Sequence, residues 1–150
     1  MYEGDLERPE SLREALTGVE RLYLFPVPQT AAEVVALAAE SGTRRIVDLS
    51  GAGADDATFE DGYHVVERAV EASGLEWTHI RPGLLAARTL GWADLVRAER
   101  TVREPYPASG YPLVHEADVA EVAVAALLTD EHLGAAYTIT GPATHRSPRS

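Results

Sequence analysis

At 150 residues, with 45% apolar residues and a formal net charge of −11, the chain suits one globular domain and carries a field that repels nucleic acid and anionic membrane surfaces. It has no cysteine, which excludes disulfides, thiol nucleophiles, iron–sulfur clusters and thiolate zinc sites. All thirteen basic residues are arginine, so no lysine is present to form a Schiff base or to act as a tunable ammonium.

Read in chain order, Tyr2–Asp5 is expected to be the end of a strand running into a turn. Pro9 suits the first turn of a short helix with Leu12, Ala15 and Leu16 as its apolar stripe, closed by Gly18. Val19–Val27 is apolar and β-prone, ends on two prolines, and predicts a buried strand. Gln29 or Thr30 opens a helix that buries Val34, Val35, Leu37 and Ala38 and stops at Gly42. Arg45–Ser50 is the next strand, followed by a Gly/Ala/Asp loop.

Tyr63–Ser73 predicts an amphipathic helix with Val65, Val66, Ala69 and Val70 inward, and Trp77–Arg81 a strand stopped by Pro82 and Gly83. Leu90–Ala98 reads as a helix, and residues 101–114 as a loop in which Tyr106 and Tyr111 wall a pocket or pack the loop down. Glu116–Leu128 is a helix, and Ala136–Thr140 a last strand before Gly141-Pro142. Residues 1–142 form the domain, and 143–150 a frayed tail. No apolar run approaches the ~20 residues of a membrane helix, and no secretory leader opens the chain, so the expected location is cytoplasmic.

Strands and helices alternating at this spacing give an α/β fold: right-handed βαβ units, a mostly parallel sheet, helices on its faces. Ligands of such sheets lie beyond the carboxyl ends of the strands. The chemistry is therefore expected at three exits: Pro26, Val27 and Pro28; Ser50, Gly51 and the residues to Gly53; Pro82, Gly83 and Leu84. Gly51-Ala52-Gly53 lacks a third glycine and is followed by Asp55-Asp56, so it reads as a strand-exit loop rather than a phosphate cradle. His115, Glu116 and Asp118 mimic a metal cluster, but acids belong in a helix's first turn, and no metal site is read.

Several stretches resemble NmrA-like proteins, atypical members of the short-chain dehydrogenase/reductase superfamily. They are Gly4-Asp5-Leu6 with Pro9, Ser11 and Leu12; Arg45–Ser50; Val66-Glu67 through Ser73-Gly74-Leu75; Trp77–Gly83; His115–Ala120; and Tyr137–Pro142. The resemblance covers about residues 3–142 and implies an incomplete Rossmann-type domain, with NAD(P)H as the family's cofactor and small quinones or carbonyl compounds as acceptors. It places the 50–53 loop on the nicotinamide side and treats Arg81 as part of a structural Arg-Pro-Gly. It makes Ser50, Gly51, Pro26–Pro28 and Pro82–Leu84 the cofactor-lining positions, and Ser50 and His64 the candidate catalytic residues.

Departures from the family pattern temper that implication. No Gly-x-x-Gly-x-x-Gly turn precedes the matched region, and Met1 falls within the family's third strand, as in an internal piece of a family member. Of the superfamily's Tyr-x-x-x-Lys pair, His64 stands at the lysine position and Glu60 at the tyrosine position. The expectation is an NAD(P)H-dependent oxidoreductase fold that binds no cofactor by itself and is inactive as it stands. The alternatives are a cofactor-less remnant or regulator, and a cofactor-independent small-molecule-binding protein. Without a neighbouring strand, residues 21–26 form an apolar edge, and a homo-oligomer paired through that edge is expected.

Overall fold

In the computed structural model, which describes residues 2–56, 62–102, 110–142 and 145–146, four parallel strands form one sheet. They are β1 (Arg21–Leu24), β2 (Arg45–Leu49), β3 (Glu76–Pro82) and β5 (Ala135–Ile139), hydrogen-bonded in the order β1-β2-β3-β5. Each crossover carries a helix, as parallel pairing demands: α2 (Ala31–Glu40), α3 (Tyr63–Ala72) and α5 (Glu116–Leu128). This is the α/β architecture with a parallel sheet that the alternating pattern predicts, and it agrees with the Rossmann-type domain that the resemblance implies.

Strand periodicity divides the core in two. Leu24 and Ile46 pack with Val34, Val35, Leu37 and Ala38 of α2 and Val66 and Val70 of α3, flanked by Leu22 and Trp77. On the opposite face Val47 and Ile80 pack with Val119, Ala123 and Ala126 of α5, flanked by Leu49 and Ile139. A registry of Leu22–Ile46–Trp77 across three strands keeps each apolar set on its own side.

The amino ends of the strands are anchored by Arg45, whose side chain is 2% exposed. Its Nη1 donates to the carbonyls of Ala126, Leu127 and Thr129, which close the end of α5. Its Nε donates to Glu76 at 2.9 Å, and its Nη2 to Asp130 at 2.5 Å. A guanidinium at a helix C-terminus both satisfies orphan carbonyls and complements the helix dipole.

Several elements differ from the sequence expectation. Residues 2–4 form no strand; Asp5 instead holds a turn, accepting from the Glu7 N–H and from Arg8 Nε. Val19–Val27 is not a buried strand: only Arg21–Leu24 pairs, at the sheet edge among the described residues, with Tyr23 and Phe25 exposed. Val65 points outward because Val66 and Val70, at i and i+4, take the inward stripe and bring Glu67 in with them. The helix expected over 90–98 is a 3₁₀ segment, Ala86–Trp92, running into α4 (Ala93–Glu99).

Between α4 and α5 a short strand β4 (Gly110–Tyr111) pairs antiparallel with β6 (His145–Arg146), so part of the expected tail is held in a sheet. Tyr106, Glu60 and tail residues 143–144 and 147–150 lie outside the described residues. No helix among the described residues is long and apolar enough to cross a membrane.

Candidate functional site

The carboxyl ends of β2 and β3 open into a cleft of about 420 Å³ lined by Leu49, Ser50, Gly51, Ala52, Gly53, Tyr63, Pro82, Gly83, Leu84 and Leu85. Backbone bonds fix its walls. The Ser50 N–H donates to the Ile80 carbonyl at 2.7 Å and the Ala52 N–H to Pro82 at 3.1 Å, which carries the pairing of the two strands into their exit loops. The Gly83 N–H donates to Ile139, and Val114 bonds back to Leu84, closing the far wall. The 51–56 loop then folds as two turns, Ala54 to Gly51 and Asp56 to Gly53, each at 3.0 Å.

Glycine at 51 is a steric requirement. A Cβ there would lie 2.6 Å from Cδ2 of the Tyr63 ring and closer still to its Cε2. The bare backbone lets the ring at the start of α3 pack directly against the loop. The resulting surface combines small residues (Gly51, Ala52, Gly53, Gly83) with the apolar side chains of Leu49, Leu84 and Leu85 and the Tyr63 ring, a lining that favours a mainly apolar ligand. No arginine among the described residues lines it.

Behind the cleft lies a buried polar network. Ser50 Oγ donates to Glu67 Oε1 at 2.5 Å. Arg81 reaches the same carboxylate and also Asp55, at 2.7 Å. Burial opposes the Glu67 charge, yet the hydrogen bonds from Arg81 and Ser50 hold its pKa below the usual glutamate value. Glu67 and Asp55 in turn raise the pKa of Arg81, which stays charged. One layer deeper, Asp48 and His79 pair at 2.6 Å. Donor atoms of Asp48, Glu67 and His79 lie within 4.8 Å of one another, the spacing of a cation's ligands. The Arg81 guanidinium already neutralises Glu67 within that group.

A family profile described as NAD(P)H-binding matches residues 1–130. The chain belongs to this NAD(P)H-binding family. It is 37% identical over 139 residues to a (4-alkanoyl-5-oxo-2,5-dihydrofuran-3-yl)methyl phosphate reductase of Streptomyces griseus, covering 88% of this chain and 49% of that protein. It is 31% identical over 147 residues to an NAD(P)H azoreductase of Xenophilus azovorans, covering 93% of this chain and 51% of that one. The chain thus spans about half the length of the curated relatives it matches. Its fold superposes with a TM-score of 0.83 on an NADPH-dependent quinone oxidoreductase of Escherichia coli, at 22% identity, covering 95% of this chain and 53% of that chain. These likenesses identify a Rossmann-type fold in an NAD(P)H-binding family.

The structure brings together seven of the strand-exit residues singled out from sequence: Ser50, Gly51, Ala52, Gly53, Pro82, Gly83 and Leu84 all line the cleft. Pro26, Val27 and Pro28 do not line it. They turn the chain from β1 into α2, with the Thr30 N–H on the Val27 carbonyl, and the Pro28 ring packs over Gly62 at the entry to α3. His64 is half-buried in the first turn of α3 and also lies outside the cleft wall; its Nδ1 has no hydrogen-bond partner among the described residues. Its neighbour Tyr63 takes the wall position. Ser50 is 2% exposed and its hydroxyl proton is committed to Glu67.

Sequence reasoning missed the buried set Asp48, Glu67 and His79. The signal was available: an acid and a histidine inside otherwise apolar strands, and an acid between Val66 and Val70 on the inward stripe of α3. A polar residue at a core position needs a partner.

Proposed function

We propose that this chain supplies the nicotinamide and acceptor side of an NAD(P)H-dependent reductase acting on small quinone, azo or carbonyl acceptors, and that residues 1–150 alone hold the dinucleotide weakly. The observation that carries the reading is the cleft at the exits of β2 and β3, about 420 Å³, mainly apolar and walled by Gly51, Tyr63 and Pro82–Leu84. The two curated relatives, a reductase and an azoreductase, agree with it.

Bound there, the reduced nicotinamide supplies a hydride. This chain's residues contribute shape: Gly51 lets Tyr63 pack onto the exit loop, and Leu49, Leu84 and Leu85 give the cleft its apolar lining. None of the cleft-lining side chains among the described residues is cationic, and the formal charge of −11 opposes a pyrophosphate, which supports weak holding by these residues alone.

Nuclear magnetic resonance titration with reduced nicotinamide mononucleotide tests the reading. Shift changes should concentrate on residues 49–53, Tyr63 and 82–85, with an affinity near millimolar, about −4 kcal/mol. Changes centred on the opposite edge, around Arg45 and Asp130, would overturn the site. Saturable NADPH binding in the low micromolar range, roughly −8 kcal/mol, would overturn the weak-holding clause.

A further inference from the structure

Asp48 and His79 are register partners on adjacent central strands, and both are essentially without solvent contact. His79 Nδ1 lies 2.6 Å from Asp48 Oδ1, and its Nε2 lies 3.4 Å from Glu71 Oε1 on α3. The imidazole stacks on Trp77 with ring centroids 4.3 Å apart. Asp48 Oδ2 is buried with no hydrogen-bond partner among the described residues.

Charge accounting decides what this pair is. From α3, Glu67 and Glu71 face it; from β3, Arg81 lies beyond Glu67; from β1, Tyr23 is the titratable group nearest Asp48. Arg81 matches Glu67 through two hydrogen bonds. The Asp48 carboxylate is then matched only if the pair itself keeps a proton, since a lone charge in a dry interior is strongly disfavoured.

We propose that the Asp48–His79 pair retains one proton at neutral pH and acts as an alkaline-sensitive lock between the centre of the sheet and α3. Loss of that proton leaves an uncompensated carboxylate beside Glu67 and Glu71, and the interface that seats α3, with Tyr63 at its start, loosens. The lock stands independently of what the cleft binds.

Proton affinity in the pair points the same way. Burial opposes a charged imidazole, yet Asp48, Glu67 and Glu71 together raise the pKa of His79 above its usual value. Burial raises that of Asp48 despite the histidine beside it. In the unfolded chain the imidazole releases its proton as pH passes about 6.5. The folded pair keeps it to higher pH, so folding takes up a proton in that window. The contribution is complete below the unfolded value and is lost as pH rises through the raised folded one.

Urea denaturation between pH 6 and pH 10, paired with imidazole resonances of His79, reads this directly. The unfolding constant should rise by up to tenfold per pH unit above about 6.5, and His79 should titrate above its ordinary value. Amide protection along α3, corrected for intrinsic exchange, should fall in parallel. His79→Leu alone should be the least stable variant, because it strands Asp48. The double variant Asp48→Leu/His79→Leu should recover much of that loss and show a flat profile from pH 6.5 to 9. The resonance measurement needs no variant to fold. A His79 that titrates at or below its ordinary value, a wild-type profile as flat as the double variant's, or displacement of the pair's proton by added Zn²⁺ would each overturn the lock.

Discussion

Arg81 grips Glu67 with two parallel hydrogen bonds, Nε to Oε1 at 2.8 Å and Nη2 to Oε2 at 2.7 Å. The third nitrogen of the same guanidinium reaches Asp55 at 2.7 Å, so one side chain ties β3, α3 and the 51–56 loop together. Planar, two-pronged geometry of this kind is the strong form of an ion pair, and lysine cannot reproduce it. Glu67→Ala should therefore cost about 3 kcal/mol, because it strands a largely buried guanidinium and removes the acceptor of Ser50. Chemical denaturation at neutral pH measures it. A loss below about 1 kcal/mol would mean that water reaches Arg81 more freely than its burial implies.

A second arginine works at the other end of the strands. Arg45→Met keeps most of the stem but leaves the carbonyls of Ala126, Leu127 and Thr129 without their donor. Asp130 and Glu76 are well exposed and return to water, so the penalty comes from the carbonyls. The expected loss is about 2 kcal/mol, read by thermal unfolding. Hydrogen exchange should show the last turn of α5 opening first. The Asp130 carboxyl, held below its usual pKa chiefly by its hydrogen bond to Arg45, should titrate at an ordinary aspartate value in the variant.

The alternation of elements was legible because apolar periodicity switches between strand and helix, and the glycines at 18, 42 and 74 each take the positive φ of a helix or turn end. Seven of the cleft residues were legible because they follow strands. What sequence could not show depends on register. Asp48 meets His79 across 31 residues, and Arg81 meets Glu67 across 14, so neither pair has a local signature. Pro26–Pro28 fall outside the cleft because β1 ends at an edge, away from the β2–β3 exits that frame it. Val65 was misplaced because one residue of helical phase separates an outward from an inward position.

Gly51→Ala tests the cleft's geometry. The added methyl would overlap the Tyr63 ring, so either the ring or the loop must move. Overpacking of this kind costs about 1–3 kcal/mol. The response of residues 82–85 to reduced nicotinamide mononucleotide should disappear, while the Asp48–His79 resonances stay in place. An unchanged titration in a variant of unchanged stability would show that the ring has room to give way.

The edge at β1 carries the last prediction. No strand among the described residues pairs with its outer side, and Tyr23 and Phe25 stand 42% and 60% exposed there. Leu22 and Leu24 alternate toward the α2 side and are covered, so the strand offers bare backbone and two aromatic rings without a guarding charge between them. Such an edge is a template for a second strand, and two copies related by a two-fold axis would meet antiparallel along residues 21–26. The contact is short, four strand residues and their aromatic neighbours, which suits a weak dimer rather than an obligate one. Light scattering after size-exclusion chromatography, run across roughly 5 to 200 µM, should show mass rising with concentration toward a dimer. Phe25→Lys places a charge on the exposed face without touching the buried Leu24, and should shift the equilibrium to monomer at unchanged thermal stability. A monomer throughout that range, indifferent to Phe25→Lys, would mean that the chain guards this edge by itself.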